Sequence, residues 1–229
     1  MPINFNTLVK SEHDLKRLFC LFYKHVIITY DYLLEKVKSN QGLTPIQFAS
    51  MVSKEEKANN FEAKILDEAN WIISKDMPRA AHLRYLIAII RSIKDLERMG
   101  DFAFMAAQYF HKHKEIEPTI RKILISSMED SIHVIKTFSR AVMSKDKLDK
   151  GYIIRSASPL MNAFYERHAK RFKDLGTIIF SSKKTVKGKV GAFKTLSYLE
   201  RNTDHGFNIV KSFMYIKDPN FYFKRKENK

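Results

Sequence analysis

The chain has 229 residues, of which 41 are Lys or Arg and 25 are Asp or Glu, so its formal net charge is +16. This length is enough for one large helical domain, or for two small units, with a real hydrophobic core. The single cysteine, Cys20, excludes an internal disulfide and any zinc site built from cysteines. Glycine and proline are scarce and apolar residues recur at helical spacings, which predicts an all-α protein.

The N-terminal segment indicates the cellular compartment of the protein, and the net positive charge limits its binding partners. The first residues lack the basic and apolar regions of a signal peptide, and no apolar run is long enough to span a bilayer. These features predict a cytoplasmic protein. The positive charge invites nucleic acid or an anionic membrane surface as a partner. The lysines are scattered and not interleaved with aromatic residues, which favours solvated surface charge and disfavours nucleic acid.

Six long helices are predicted in chain order. The first five starts carry a local signal, such as the capping box formed by Thr44 and Gln47 or the proline that follows Met77. The predicted helices begin near Ser11, Thr44, Pro78, Pro118, Ser158 and Ala192. The connections between them are short, which favours antiparallel neighbours in up-and-down bundles.

The third and sixth predicted helices carry the same motif, Leu-Glu-Arg-x-x-Asp. It places Glu97 four residues before Asp101, and Glu200 four residues before Asp204. Four residues is about one helical turn, so both carboxylates of a pair project from one face and repel each other. A pair on an inner face therefore needs a cation from Arg, Lys or a metal ion.

Because the motif lies on the third helix of each set of three, we interpret the chain as two copies of one duplicated unit. The predicted repeats are residues 1–115 and 116–229, and the second contains a basic loop at 181–191 and a polar C-terminal tail.

The motif in residues 93–103, preceded by Pro-Arg-Ala-Ala-His-Leu-Arg at 78–84, resembles the PhoU family, and residues 199–209 resemble the second motif of that family. The resemblance spans nearly the whole chain. It implies two tandem three-helix bundles and regulation of phosphate uptake. The sequence departs from the family pattern at His82, where the family has Asp, and at Asn202-Thr203, where it has Ile-Gly.

The resemblance also implies metal ions held by the paired acidic residues. The implied ligands of the first repeat lie on its second and third helices; they are Glu55, Glu56, Glu62, Glu97 and Asp101. The second repeat offers Glu200 and Asp204, with His205 as a further candidate. Its segment 158–165 lacks the carboxylates that segment 55–62 carries, so we expect metal to load preferentially on the first repeat. Carboxylate donors suit Mg²⁺, Mn²⁺ or iron better than a structural Zn²⁺ site, although Zn²⁺ stays among the candidates.

The function implied by the resemblance is a negative regulator of phosphate uptake that is not an enzyme. Its expected partners are the ATP-binding subunit of a phosphate transporter, a sensor histidine kinase, and a second copy of the chain in a homodimer. We expect peripheral membrane contact through the basic loop, at Lys183, Lys184, Lys187 and Lys189. Two alternatives stay open, a diiron-type helical oxidase or iron store and a basic helical nucleic-acid-binding protein. The absence of a Glu-x-x-His pair argues against the diiron alternative.

Overall fold

The computed structural model describes residues 5–39, 42–144, 150–181 and 188–217. Its helices are α1 (Phe5–Ser39), α2 (Pro45–Asp76), α3 (Ala81–Lys112), α4 (Pro118–Met143), the short α5 (Lys150–Tyr152), α6 (Ser158–Ser181) and α7 (Lys189–Lys217). Six of these are long, and the described residues contain no strand, so the predicted all-α fold is confirmed. In these ranges no helix has both the length and the apolar character that crossing a bilayer requires.

The start of α2 shows how local sequence sets a helix boundary. The hydroxyl of Thr44 accepts a hydrogen bond from the backbone N–H of Gln47 at 3.2 Å. The Gln47 side chain accepts one from the backbone N–H of Thr44 at 3.0 Å. This reciprocal capping box satisfies two backbone donors that the helix itself cannot pair, and Pro45 occupies the first helical position. The predicted capping box is confirmed.

One predicted helix start was wrong by more than one turn, and tertiary packing explains it. Helix α1 begins at Phe5, not at Ser11, because Leu8 is 2% exposed and its burial extends the apolar stripe towards the N-terminus. Helix α6 begins at Ser158, as predicted, but Ser158 has helical torsion angles and does not cap the helix, because the π-helical turn Ile153–Ala157 runs directly into α6.

Two further starts differ by less than one turn. Helix α3 begins at Ala81, three residues after Pro78. Helix α7 begins at Lys189, so the last residues of the predicted basic loop are already helical.

The six long helices pack as two groups of three. Each of α1, α2 and α3 contacts the other two, and α4, α6 and α7 form a second such group. The connection at 113–117 between α3 and α4 contains the predicted boundary between the two repeats. The groups are joined by α1 against α4 and, more extensively than for any other helix pair, by α3 against α7. The two helices that carry the acidic motifs therefore lie side by side.

We call the interface between α3 and α7 the seam. The ring of Phe102 stacks on Tyr198 across it, with 5.7 Å between the ring centroids. The Nδ1 atom of His205 lies 2.7 Å from Oδ1 of Asp95. Stacked aromatic rings and a half-buried polar pair both require a defined geometry, so the seam fixes how the two groups sit against each other.

Candidate carboxylate site

The first acidic motif lies where α2 and α3 approach each other closely. Gly100 stands inside the motif, and a Cβ atom placed on it would lie 3.2 Å from Cβ of Ala58 on α2. This pair of small residues lets the two helix backbones come near to each other. Side chains on the adjoining faces of α2 and α3 are thus within reach of one another.

Four predicted ligands meet along this contact, and we call them the acidic patch: Glu55 and Glu62 on α2, with Glu97 and Asp101 on α3. Lys94 joins the two helices within the patch. Its Nζ atom lies 3.4 Å from Oε1 of Glu62 and 3.1 Å from Oε2 of Glu97. Sequence reasoning did not select Lys94, although its spacing of three residues from Glu97 is a known signal for ion pairs on a helix.

The surroundings of Asp101 in the patch disfavour its negative charge. Burial raises the pKa of Asp101 to about 6, and the negative charges of Glu97 and Glu55 raise it as well. Arg98 acts in the opposite direction, with its Nη1 atom 3.8 Å from Oδ2 of Asp101. The local cations therefore do not fully neutralise this carboxylate, which is the condition under which an additional cation would be bound.

The fifth predicted ligand of the first repeat does not join the patch. Glu56 is exposed and lies about 100° around α2 from Glu55. Glu55 itself accepts a hydrogen bond from the side-chain amide of Asn59 at 2.7 Å. The structure thus brings together four of the five carboxylates predicted for the first repeat.

In the second repeat, Glu200 and Asp204 face residues of α6 that sequence reasoning did not select. The hydroxyl of Tyr165 donates a hydrogen bond to Oδ1 of Asp204. The Nε2 atom of His168 lies 3.4 Å from Oε2 of Glu200. Burial and the nearby charge of Asp204 raise the pKa of Glu200. The local sequence carries no signal for these contacts, since each joins residues more than thirty positions apart.

His205, the third predicted ligand of the second repeat, does not approach Glu200. It lies about 100° around α7 from Asp204 and points into the seam, where it pairs with Asp95. Its ring is also tilted against Phe102, with 5.6 Å between the ring centroids. His205 thus contributes to the contact between the two groups of helices.

The donor set of the acidic patch fits a hard divalent cation, because it consists of carboxylate oxygens. Its side chains do not stand in coordinating positions, since in the described ranges no group of three or more His, Cys, Asp or Glu residues could hold a metal ion. The ammonium group of Lys94 occupies the space between Glu62 and Glu97 instead. The chemistry of the patch therefore fits a metal ion, provided that Lys94 moves aside.

Three of the four lysines predicted to contact an anionic surface, Lys183, Lys184 and Lys187, lie outside the described residues. The fourth, Lys189, is half-buried in the first turn of α7. Its ammonium group donates a hydrogen bond to the carbonyl oxygen of Ile179 at 3.3 Å, close to the end of α6. This lysine therefore stabilises the end of α6, where unpaired carbonyl groups carry partial negative charge.

The part of the chain that contains the acidic patch is similar to a known protein family. The family model described as the PhoU domain matches residues 46–110, which cover most of α2 and α3. This segment of the chain is similar to a PhoU domain. All four residues of the acidic patch lie inside the matched segment. The resemblance to the PhoU family that the sequence motifs indicated is thereby confirmed.

Relatives match over more of the chain than the PhoU domain. An uncharacterized protein of Mycoplasma genitalium is 26% identical over 96% of this chain and 98% of its own length. A phosphate-specific transport system accessory protein, a PhoU homolog of Synechocystis, is 24% identical over 91% of this chain and 88% of its own length. The crystal structure of the phosphate transport system regulatory protein PhoU from Streptococcus pneumoniae superimposes with a TM-score of 0.68 at 17% identity. That match covers 93% of this chain and 97% of the other, and it shows that the two share a fold.

Proposed function

We propose that this chain is a regulatory accessory protein of phosphate uptake that acts on the ATP-binding subunit of a phosphate transporter. The observation that carries the proposal is the acidic patch, which lies entirely inside the PhoU domain and joins α2 to α3. The names of relatives such as the Synechocystis protein supply the transport system concerned. A sensor histidine kinase is the second partner that we propose, because a regulator of uptake needs an input as well as a target.

We further propose that the acidic patch binds a divalent or iron metal ion. Glu62 and Glu97 would hold it from opposite helices, and Asp101, whose negative charge is disfavoured by burial and by Glu97, would add a third carboxylate. A metal ion bound there would supply positive charge and a bridge between α2 and α3. When no metal ion is bound, Lys94 neutralises Glu62 and Glu97. Its side chain is exposed and can turn towards solvent when a metal ion binds. The patch could thus change the stiffness of the α2–α3 pair in response to metal supply.

The partner proposal predicts a direct complex. The chain and the ATP-binding subunit of the phosphate transporter from the same organism, expressed together, should co-elute in size-exclusion chromatography, and the ATPase rate of the subunit should change on addition of the chain. The ATP-binding subunit of an unrelated transporter is the matched control. Equal behaviour of the two subunits would contradict the proposed specificity.

The metal proposal predicts that a double variant, Glu97→Gln with Asp101→Asn, binds Mn²⁺ at least about tenfold more weakly than the unaltered chain, because two anionic donors become neutral amides. Equilibrium dialysis against Mn²⁺, followed by elemental analysis, measures the effect. Glu56→Gln is the control, since this exposed residue lies outside the patch. Equal Mn²⁺ affinity in the double variant and in the unaltered chain would refute metal binding at the patch.

A further inference from the structure

The second repeat differs from the first in the residues that face its acidic pair. Aligning segment 158–165 with segment 55–62 places Tyr165 at the position of Glu62. Where the first repeat presents a carboxylate to Glu97, the second presents a phenol whose hydroxyl donates a hydrogen bond to Asp204. The phenol O–H donates a hydrogen bond to one carboxylate oxygen and so occupies one of the lone pairs that a cation would otherwise use.

His168 occupies the remaining space beside Glu200. Its side chain is 5% exposed and lies between the rings of Phe164 and Phe172, with centroid distances of 5.7 and 6.1 Å. In the described part of the chain, neither of its ring nitrogens has a hydrogen-bond partner. His168 therefore lies beside Glu200 with its ring packed among aromatic side chains.

The residues between the helices differ in size as well. The small pair Gly100 and Ala58, which lets α2 approach α3, corresponds by the same alignment to Thr203 and Met161, both buried. The larger side chains take more room between α6 and α7. Longer side chains on α6, such as Tyr165 and His168, are then needed to reach the acidic pair of α7.

From these contacts we infer that the second repeat is closed to cations by its own side chains, with Tyr165 and His168 as the residues that close it. Tyr165 holds Asp204 by a hydrogen bond, and the ring of His168 lies 3.4 Å from Glu200, where a further ligand would otherwise approach. Cation binding is thereby confined to the first repeat, and the second repeat acts as a fixed support. This inference rests on the proposed function where it assigns cation binding to the first repeat. The closure of the second repeat can be measured whether or not the first repeat binds a metal ion.

The test uses the full chain with the first repeat disabled by Glu97→Gln and Asp101→Asn. We expect this double variant to retain no stoichiometric Mn²⁺ in equilibrium dialysis. Adding Tyr165→Glu should create a site for about one equivalent, because Asp204 is released and a third carboxylate is supplied. A further Glu200→Gln exchange should abolish the gain. Phe180→Glu is the matched control: it adds the same charge to α6 at a residue that is 87% exposed, four turns from Tyr165.

Three results would overturn the inference. The first is that the double variant binds one equivalent of Mn²⁺ and loses it when Glu200→Gln is added, because the second repeat would then be open to cations. The second is no gain with Tyr165→Glu in a chain whose thermal unfolding shows that it is folded. The third is an equal gain with Phe180→Glu, which would reflect added charge alone. Failure of the metal proposal looks different, since the double variant and the unaltered chain would then bind Mn²⁺ equally.

Discussion

Replacing Leu96 or Leu199 with Ala should lower the free energy of unfolding by about 2–5 kcal/mol each, the largest effect that we expect from any single substitution considered for this chain. Both residues immediately precede the Glu of a motif, and both have no solvent exposure. Each truncation removes the burial of the lost methyl groups and leaves a cavity that the closely packed helices fill only in part. Urea unfolding followed by circular dichroism measures the change.

The control for these truncations is Leu21→Ala, since Leu21 is 45% exposed on α1. A surface substitution of this kind should change the free energy of unfolding by no more than about 0.5 kcal/mol. A loss below about 1 kcal/mol for both Leu96→Ala and Leu199→Ala would show that the helices carrying the motifs are not packed as described.

Asp101→Asn should stabilise the folded chain by about 1–2 kcal/mol at pH 7.5 in the absence of divalent metal. The folded state raises the pKa of Asp101 from its usual 3.8 to about 6. A carboxyl group with a raised pKa favours folding fully below its unfolded pKa and loses that contribution as the pH rises from about 4 to about 6. Above pH 6 the ionised Asp101 therefore destabilises the unaltered chain, whereas Asn carries no charge.

The gain should accordingly shrink as the pH falls from 6 to 4. Urea unfolding of both proteins over this pH range measures it, with Asp67→Asn, an exposed residue of α2, as the control. Unchanged or lower stability of Asp101→Asn at pH 7.5 would mean that the patch carries no uncompensated negative charge. A stabilising substitution at a carboxylate is typical of a residue kept for binding at the expense of stability.

Local signals predicted most of the fold. The number of long helices, the capping box at Thr44 and the end of α3 near His113 all follow from patterns within a few residues of each boundary. The start of α1 was misplaced because Leu8 extends the helix through burial against other helices. The start of α6 at Ser158 was predicted correctly, but Ser158 does not cap that helix, because a Ser-Pro pair also fits inside continuous helical backbone, here after a π-helical turn.

The candidate site could be predicted only in part. Glu97 and Asp101 share a face because of helical spacing, and Glu62 on the neighbouring helix was reached through the family pattern. The bond between Tyr165 and Asp204 and the pair of Asp95 and His205 join helices far apart in sequence. No local periodicity specifies such contacts, since they depend on how each helix is rotated against its neighbours.

The seam has a consequence for biosynthesis. Helix α3 is completed early in translation, but α7, the helix it packs against most extensively, leaves the ribosome after every other helix described. Until then the apolar side of α3 that includes Phe102 has no native partner. The nascent chain is therefore vulnerable to misassociation and to chaperone capture throughout this interval. Because α3 and α7 are each the last helix of their group of three, the seam can close only when almost the whole described chain has been synthesised.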